Sequence, residues 1–423
     1  MLAISDNKTA NAASILFLIA AFFITASKLH LRGVDDDQYF LHALDSTGLY
    51  DYLTQRYLTW TGRISLELVM VTTITHEYFW RIAIPACTII TAYCLYRLVG
   101  KDLGLSSTQG ATLVCLLIYI MDSSVYSDAA MWVTGFYVYL LPVSAALLSV
   151  YIIKESYAYF AFLISTVLMC YAVANEQIAL CFILYSVITF ISFLAKRKCD
   201  FKLLAFILIV MGFASFYLTA PGNGARFIWE KHNLLEFTNF NILDKATNGL
   251  VIFVNHVLSG KNYMMFLICS FFTIKGVVSH SKCNDAAMLT SAFLTGIYCA
   301  LFILNSSIGI DGVFINDSNT FMDIHQIFKL GIYIKVVVTL MIFISLLYIA
   351  IHEDGSDAML YTCLMFLVVS TSSMIGLSAA VWANRPRIFF IPDILLILFF
   401  LRFLFKMKLI AKAPRMALIL SNK

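Results

Sequence analysis

Apolar residues along this chain do not alternate. They come in nearly uncharged runs of about 20 residues, separated by short polar stretches. A helix of about 20 residues is long enough to cross the ~30 Å hydrocarbon core of a bilayer. The runs predict spans at 12–31, 81–99, 109–122, 133–153, 157–174, 178–195, 202–219, 262–279, 287–305, 330–350, 358–380 and 388–406. Two further apolar segments, 62–77 and 247–259, are short for a crossing and predict interfacial or re-entrant helices. The expected fold class is an all-α polytopic membrane protein of about 12 transmembrane helices, with residues 1–423 forming a single membrane domain. No small-residue cleavage site follows the first run, so that run is expected to be a retained helix rather than a signal peptide.

Composition sharpens this picture. Of 423 residues, 61% are hydrophobic and 13% charged, whereas a soluble domain is roughly half apolar and about a quarter charged. The apolar excess must face lipid. A net charge of +4, with no basic cluster interleaved with stacking aromatics, gives no reason to expect nucleic acid as a partner. The ten cysteines form no CxxC pair and read as small core hydrophobes. The eight histidines form no metal motif, and phosphate-loop and dinucleotide fingerprints are lacking. No metal site and no cofactor is therefore assigned.

Charge also sets an expected orientation. Arg97 and Lys101, Lys154, Lys196 to Lys198 with Lys202, and Lys406, Lys408, Lys412 and Arg415 fall on one side if both termini share it. The positive-inside rule makes that side the cytoplasm. The long outer segments are then 32–80, 220–261 and 306–329, and all five tryptophans lie at or near the outer face. No internal repeat suggests a transporter built from two halves.

Candidate chemistry gathers on the same outer edges. Asp35, Asp36 and Asp37 follow the first span. Carboxylates this close raise one another's pKa, which suits a general base, and could also hold a divalent cation; a solvated helix cap is the plainer reading. Trp60-Thr61-Gly62-Arg63 sets an aromatic plane and a forked cation within four positions, where Trp can stack on a sugar and Arg can clamp a phosphate. Trp132-Val133-Thr134-Gly135 opens the fourth span, and Asn175-Glu176 lies at the membrane border. Pro221-Gly222-Asn223-Gly224-Ala225-Arg226 reads as a turn whose glycines permit positive φ, an anion nest beside Arg226. Trp382, Asn384, Arg385 and Arg387 lie in the last outer link, where arginines run against the positive-inside preference and suit an anionic head group. Asp393 and Glu67 lie in apolar helices, where an acid is costly and usually has a partner.

An acidic cluster just after the first span, a long first outer loop with amphipathic helices and about twelve spans resemble the GT-C glycosyltransferases. The set Asp35-Asp36-Asp37, Trp60-Thr61-Gly62-Arg63, Trp132-Val133-Thr134-Gly135, Asn175-Glu176 and 221–226 more narrowly resembles the phage-encoded, serotype-converting O-antigen glucosyltransferases of enteric bacteria. The resemblance covers roughly the first 230 residues. It implies a GT-C-like fold in the bacterial inner membrane, with both termini cytoplasmic and a periplasmic active site. It also implies transfer of a sugar, glucose by this likeness, from a polyprenyl-phosphate donor to a hydroxyl of lipid-linked O-antigen, with inversion. On the resemblance, Asp36 or Asp37 is the base with Asp35 in support. Arg63 and Arg226 hold the donor phosphate, with Arg385 and Arg387 in reserve. Trp60, Trp132, Asn175, Glu176 and Asn223 line the sugar and acceptor. The rivals are an O-antigen polymerase, a lipid-linked sugar flippase or transporter, and a non-catalytic membrane partner.

Overall fold

The computed structural model describes residues 2–33, 36–100, 103–196, 200–233, 237, 239–308, 330–378 and 386–421. Among them every regular element is helical. Among the described residues ten helices are long and apolar enough to cross a membrane, or up to eleven if the bent pair Ser107–Tyr119 and Ser123–Met131 is one span. The chain is thus a multi-pass membrane protein. The predicted span at 157–174 is a helix of 14 residues, Tyr159–Ala172, and the ambiguous segment 62–77 contains the short helix Ile64–Thr73.

The stretch 220–261, expected to be a long outer segment with a short helix at 247–259, is helical over Pro221–Asn233 and Ile242–Val257. Pro221 opens the helix Pro221–Asn233, a position where its fixed φ and missing N–H are no handicap. Asn241 caps Ile242–Val257 by accepting from the amides of Leu243 and Asp244, and the Asp244 carboxylate accepts from the Asn241 amide in return. The expected anion nest at 222–224 does not form. Gly104 is the one glycine of positive φ among the described residues, and Gly222 and Gly224 lie within the helix instead.

Read from sequence as one domain, the chain groups into two compact units, 1–98 with 127–235, and 99–126 with 236–423. In the first, the helices that make up the bundle run Leu2–Lys28, Glu77–Leu95, Leu141–Glu155, Tyr159–Ala172, Glu176–Lys196 and Phe201–Leu218. Arg81 donates to the carbonyl of Ala26 at 2.9 Å, which ties the start of one helix to the end of another. At the far end Lys202 donates to the carbonyl of Ser156. The short helices Asp36–Leu41, Leu49–Thr59 and Ile64–Thr73 therefore sit at the end where residues 28, 77, 133, 176 and 218 gather.

In the second unit, Asp393 is fully buried and its Oδ1 lies 2.9 Å from Nε2 of His256, whose ring stacks on Phe389. The intramembrane acid thus has its partner. Asp122 is buried in the same unit and accepts from Ser259, and Tyr298 donates to the carbonyl of Val257. Elsewhere in this unit Lys275 pairs with Glu353 at 2.7 Å, and Arg402 with Asp357 at 2.5 Å.

Candidate functional site

The candidate site lies within the first unit and begins at Asp37. This carboxylate is fully buried. Its Oδ1 accepts from the amide and hydroxyl of Thr134, at 3.0 and 2.5 Å, and its Oδ2 accepts from the Arg32 amide at 2.8 Å. Three donors on one carboxylate make a latch between the residue that leaves the first helix and the one that opens the fourth predicted span. Asp36, its neighbour at the start of the same short helix, is exposed to solvent. Asp35 lies outside the described residues. The two described acids therefore differ in their surroundings: Asp37 has its oxygens occupied, and Asp36 is open to a ligand.

Around that latch the sequence motifs interlock. Arg32 pairs with Asp128 at 2.9 Å and lies 4.7 Å over the ring of Trp132, which is buried. Trp132, expected as an open sugar platform, is instead a base for Arg32. A Cβ on Gly135 would fall 2.0 Å from the carbonyl of Asp128, so glycine is what lets those backbones touch.

Residues 57–63 and 217–223 meet in the same way. The Gly62 amide donates to Oδ1 of Asn223 at 2.9 Å, while Nδ2 of Asn223 donates to the carbonyl of Tyr217. A Cβ on Gly62 would fall 1.9 Å from that Tyr217 carbonyl. One on Gly222 would lie 2.5 and 2.6 Å from the amides of Trp60 and Thr61. Asn223, expected to touch a sugar, is a strut between two backbones. Asn175 is structural in a comparable way. Its side-chain oxygen accepts from the amides of Gln177 and Ile178 and caps the helix Glu176–Lys196.

Three arginine–glutamate pairs lie among these segments. Arg56 grips Glu67 through Nε at 2.8 Å and Nη2 at 2.6 Å, with Tyr52 donating to the same carboxylate. Burial, reinforced by the charge of Glu67, pushes the Tyr52 phenol well up, so Tyr52 remains a neutral donor. Arg63 reaches across 113 residues to Glu176, with Nε 2.9 and 3.0 Å from its two oxygens and Nη2 at 2.7 Å. Burial opposes the charge on Arg63, but the Glu176 carboxylate outweighs it and holds the guanidinium above its ordinary range. Arg226 pairs with Glu230 one turn on, at 2.7 Å, and lies within electrostatic reach of Glu176. Trp60 joins the first and third pairs, with Arg56 and Arg226 at 5.5 and 5.9 Å from its ring and Trp229 edge-on at 5.2 Å.

The structure thus brings Asp37, Trp60, Arg63, Trp132, Asn175, Glu176, Asn223 and Arg226 into the first unit, at one end of its bundle. Arg387 belongs to the second unit, and Trp382, Asn384 and Arg385 lie outside the described residues. Sequence reasoning missed the partners Arg56, Asp128 and Glu230; only Glu230, four residues from Arg226 on a helix, had a spacing that could reveal it. Among the described residues no group of three His, Cys, Asp or Glu side chains is placed to hold a metal ion. No protein-family model, curated protein or solved structure matches the chain.

Proposed function

We propose that this chain is a membrane glycosyltransferase of the GT-C type. It moves a sugar, glucose by the motif resemblance, from a polyprenyl-phosphate carrier to a hydroxyl of lipid-linked O-antigen at the periplasmic face of the bacterial inner membrane. The observation that supports this best is the gathering of one exposed carboxylate, several arginines and a half-buried tryptophan at one end of the first unit, from segments far apart in sequence. A site of that make-up suits an anionic, sugar-bearing lipid.

In the proposed reaction the acceptor hydroxyl oxygen attacks the anomeric carbon from the face opposite the phosphate. Its proton passes to Asp36. The bond between the anomeric carbon and the phosphate oxygen breaks, and the polyprenyl phosphate leaves with the electron pair, held by Arg63 and assisted by Arg226. Trp60 packs on the sugar. Asp37 takes no proton; it fixes the helix that carries Asp36.

The test compares surface polysaccharide from cells with and without the gene, and with two variants. Asp36→Asn should abolish side-branch sugar while the protein reaches the membrane in full amount. Asp37→Asn should lower the amount of folded protein. Wild-type side branches in cells carrying D36N would remove Asp36 as the base. A second reading, a lipid-linked sugar transporter, draws support from the buried His256–Asp393 pair and Asp122 in the second unit. Loss of the gene would then deplete whole polysaccharide rather than its branches.

A further inference from the structure

Every arginine of the candidate site already has a carboxylate. Arg32, Arg56, Arg63 and Arg226 face Asp128, Glu67, Glu176 and Glu230, and Asp36 and Asp37 add further negative charge. A phosphate entering this cluster meets cations that are already compensated, and desolvating an anion beside compensated charges is unfavourable. One of the carboxylates has to give way.

The four pairs differ in how easily they can open. Arg56 and Glu67 have side chains only 14% and 7% exposed, and Tyr52 donates to the same glutamate. Glu230 is 9% exposed. Asp128 pairs with Arg32, whose backbone is latched to Asp37 and whose guanidinium covers Trp132. Arg63 and Glu176 are 27% and 31% exposed, so both ends of this pair are within reach of a ligand. Asn175 supplies the cap of the helix that Glu176 opens, so Glu176 is not the capping residue. The two oxygens it offers to Nε and Nη2 of Arg63 are arranged as two oxygens of a phosphate would be.

We infer that Glu176 is an internal stand-in for the ligand's phosphate: it holds Arg63 until the phosphate of an isoprenoid lipid, the sugar-bearing diester or the monoester left after transfer, displaces it. This deepens the reading of Arg63 as the phosphate anchor and rests on it. Glu176 acts through Arg63 and is a positioning residue. It keeps the guanidinium aimed, and in doing so it competes with the ligand.

The sign of one substitution tests this. Farnesyl monophosphate serves as the probe, with farnesol and inorganic phosphate as controls, on the purified full-length protein in detergent. Glu176→Gln removes the competing charge and should tighten the probe about fivefold, the worth of a partly exposed ion pair. Arg63→Ala should abolish the preference for farnesyl monophosphate over farnesol, and the E176Q change should then have no effect on the R63A background. A merely structural Glu176 predicts the opposite, weaker binding in E176Q. Probe binding that depends on Arg63 but is unchanged or weakened by E176Q overturns the exchange and leaves the phosphate anchor standing. Binding indifferent to Arg63 overturns both. Inorganic phosphate competing as well as the lipid would overturn the lipid as its source. On the unaltered protein, carbodiimide labelling of Glu176 should speed up when the probe binds, and slower or unchanged labelling counts against the exchange even if E176Q does not fold.

Discussion

Asp36 and Asp37 are adjacent and chemically identical, and the fold treats them differently. One is exposed; the other accepts three hydrogen bonds in the interior. The sequence shows three acids after a membrane helix but cannot rank them, because the ranking is made by Thr134, 97 residues away. The same contrast separates the arginine pairs. Arg56 and Glu67 are the most deeply buried pair of the site, and removing one member of such a pair leaves a charge without its counterion. Glu67→Ala should therefore cost about 3–5 kcal/mol of stability, read as a fall in the melting temperature of the protein in detergent. Arg56→Lys should not rescue the site, since an ammonium cannot reproduce the two-point grip. An unchanged melting temperature in E67A would show that Tyr52 and solvent suffice to hold Arg56.

At the scale of helices, the spans were readable because lipid demands length and apolarity together. The outer segments were harder. Pro221-Gly222-Asn223-Gly224 has the composition of a turn, yet it starts a helix, because Pro fits the first position and the two glycines serve different ends. Gly222 lies against the backbone of Trp60 and Thr61, whereas a Cβ on Gly224 would meet nothing within 4 Å. Alanine at these two positions should therefore act in opposite directions. Gly222→Ala puts a methyl group against amide nitrogens that no side-chain rotation can move, and should leave little folded protein after size-exclusion chromatography. Gly224→Ala should be tolerated and should raise the melting temperature slightly, by about the 1 kcal/mol that separates alanine from glycine in a helix. Equal behaviour of the two would mean that the segments 57–63 and 217–223 are not in contact.

For the whole molecule, the motif residues were legible as a set sharing one expected face, but the long-range pairings of its arginines were not. Nothing in local periodicity links Arg63 to Glu176 or Gly62 to Asn223. The shared face also yields a test of orientation. Tyr50, in the helix Leu49–Thr59, and Tyr157, beside the far end of the first bundle, are both strongly exposed. Under the proposed topology, Tyr50→Cys should react with an impermeant maleimide in intact spheroplasts, and Tyr157→Cys only after they are permeabilised. Labelling of Tyr157→Cys but not of Tyr50→Cys before permeabilisation would refute a periplasmic site.

The hydrogen bond from Gly62 to Asn223 also has a temporal meaning. The first unit is discontinuous, leaving at residue 98 and resuming at 127, and the segment 57–63 is clamped by residues near 220. During synthesis, the segment carrying Trp60 and Arg63 leaves the ribosome well before the residues that clamp it have been made. The nascent chain must carry Arg63 past the insertion of several further helices with its carboxylate partner yet to be translated. Membrane insertion and completion of the site are therefore separate events, and the second waits for more than half of the polypeptide.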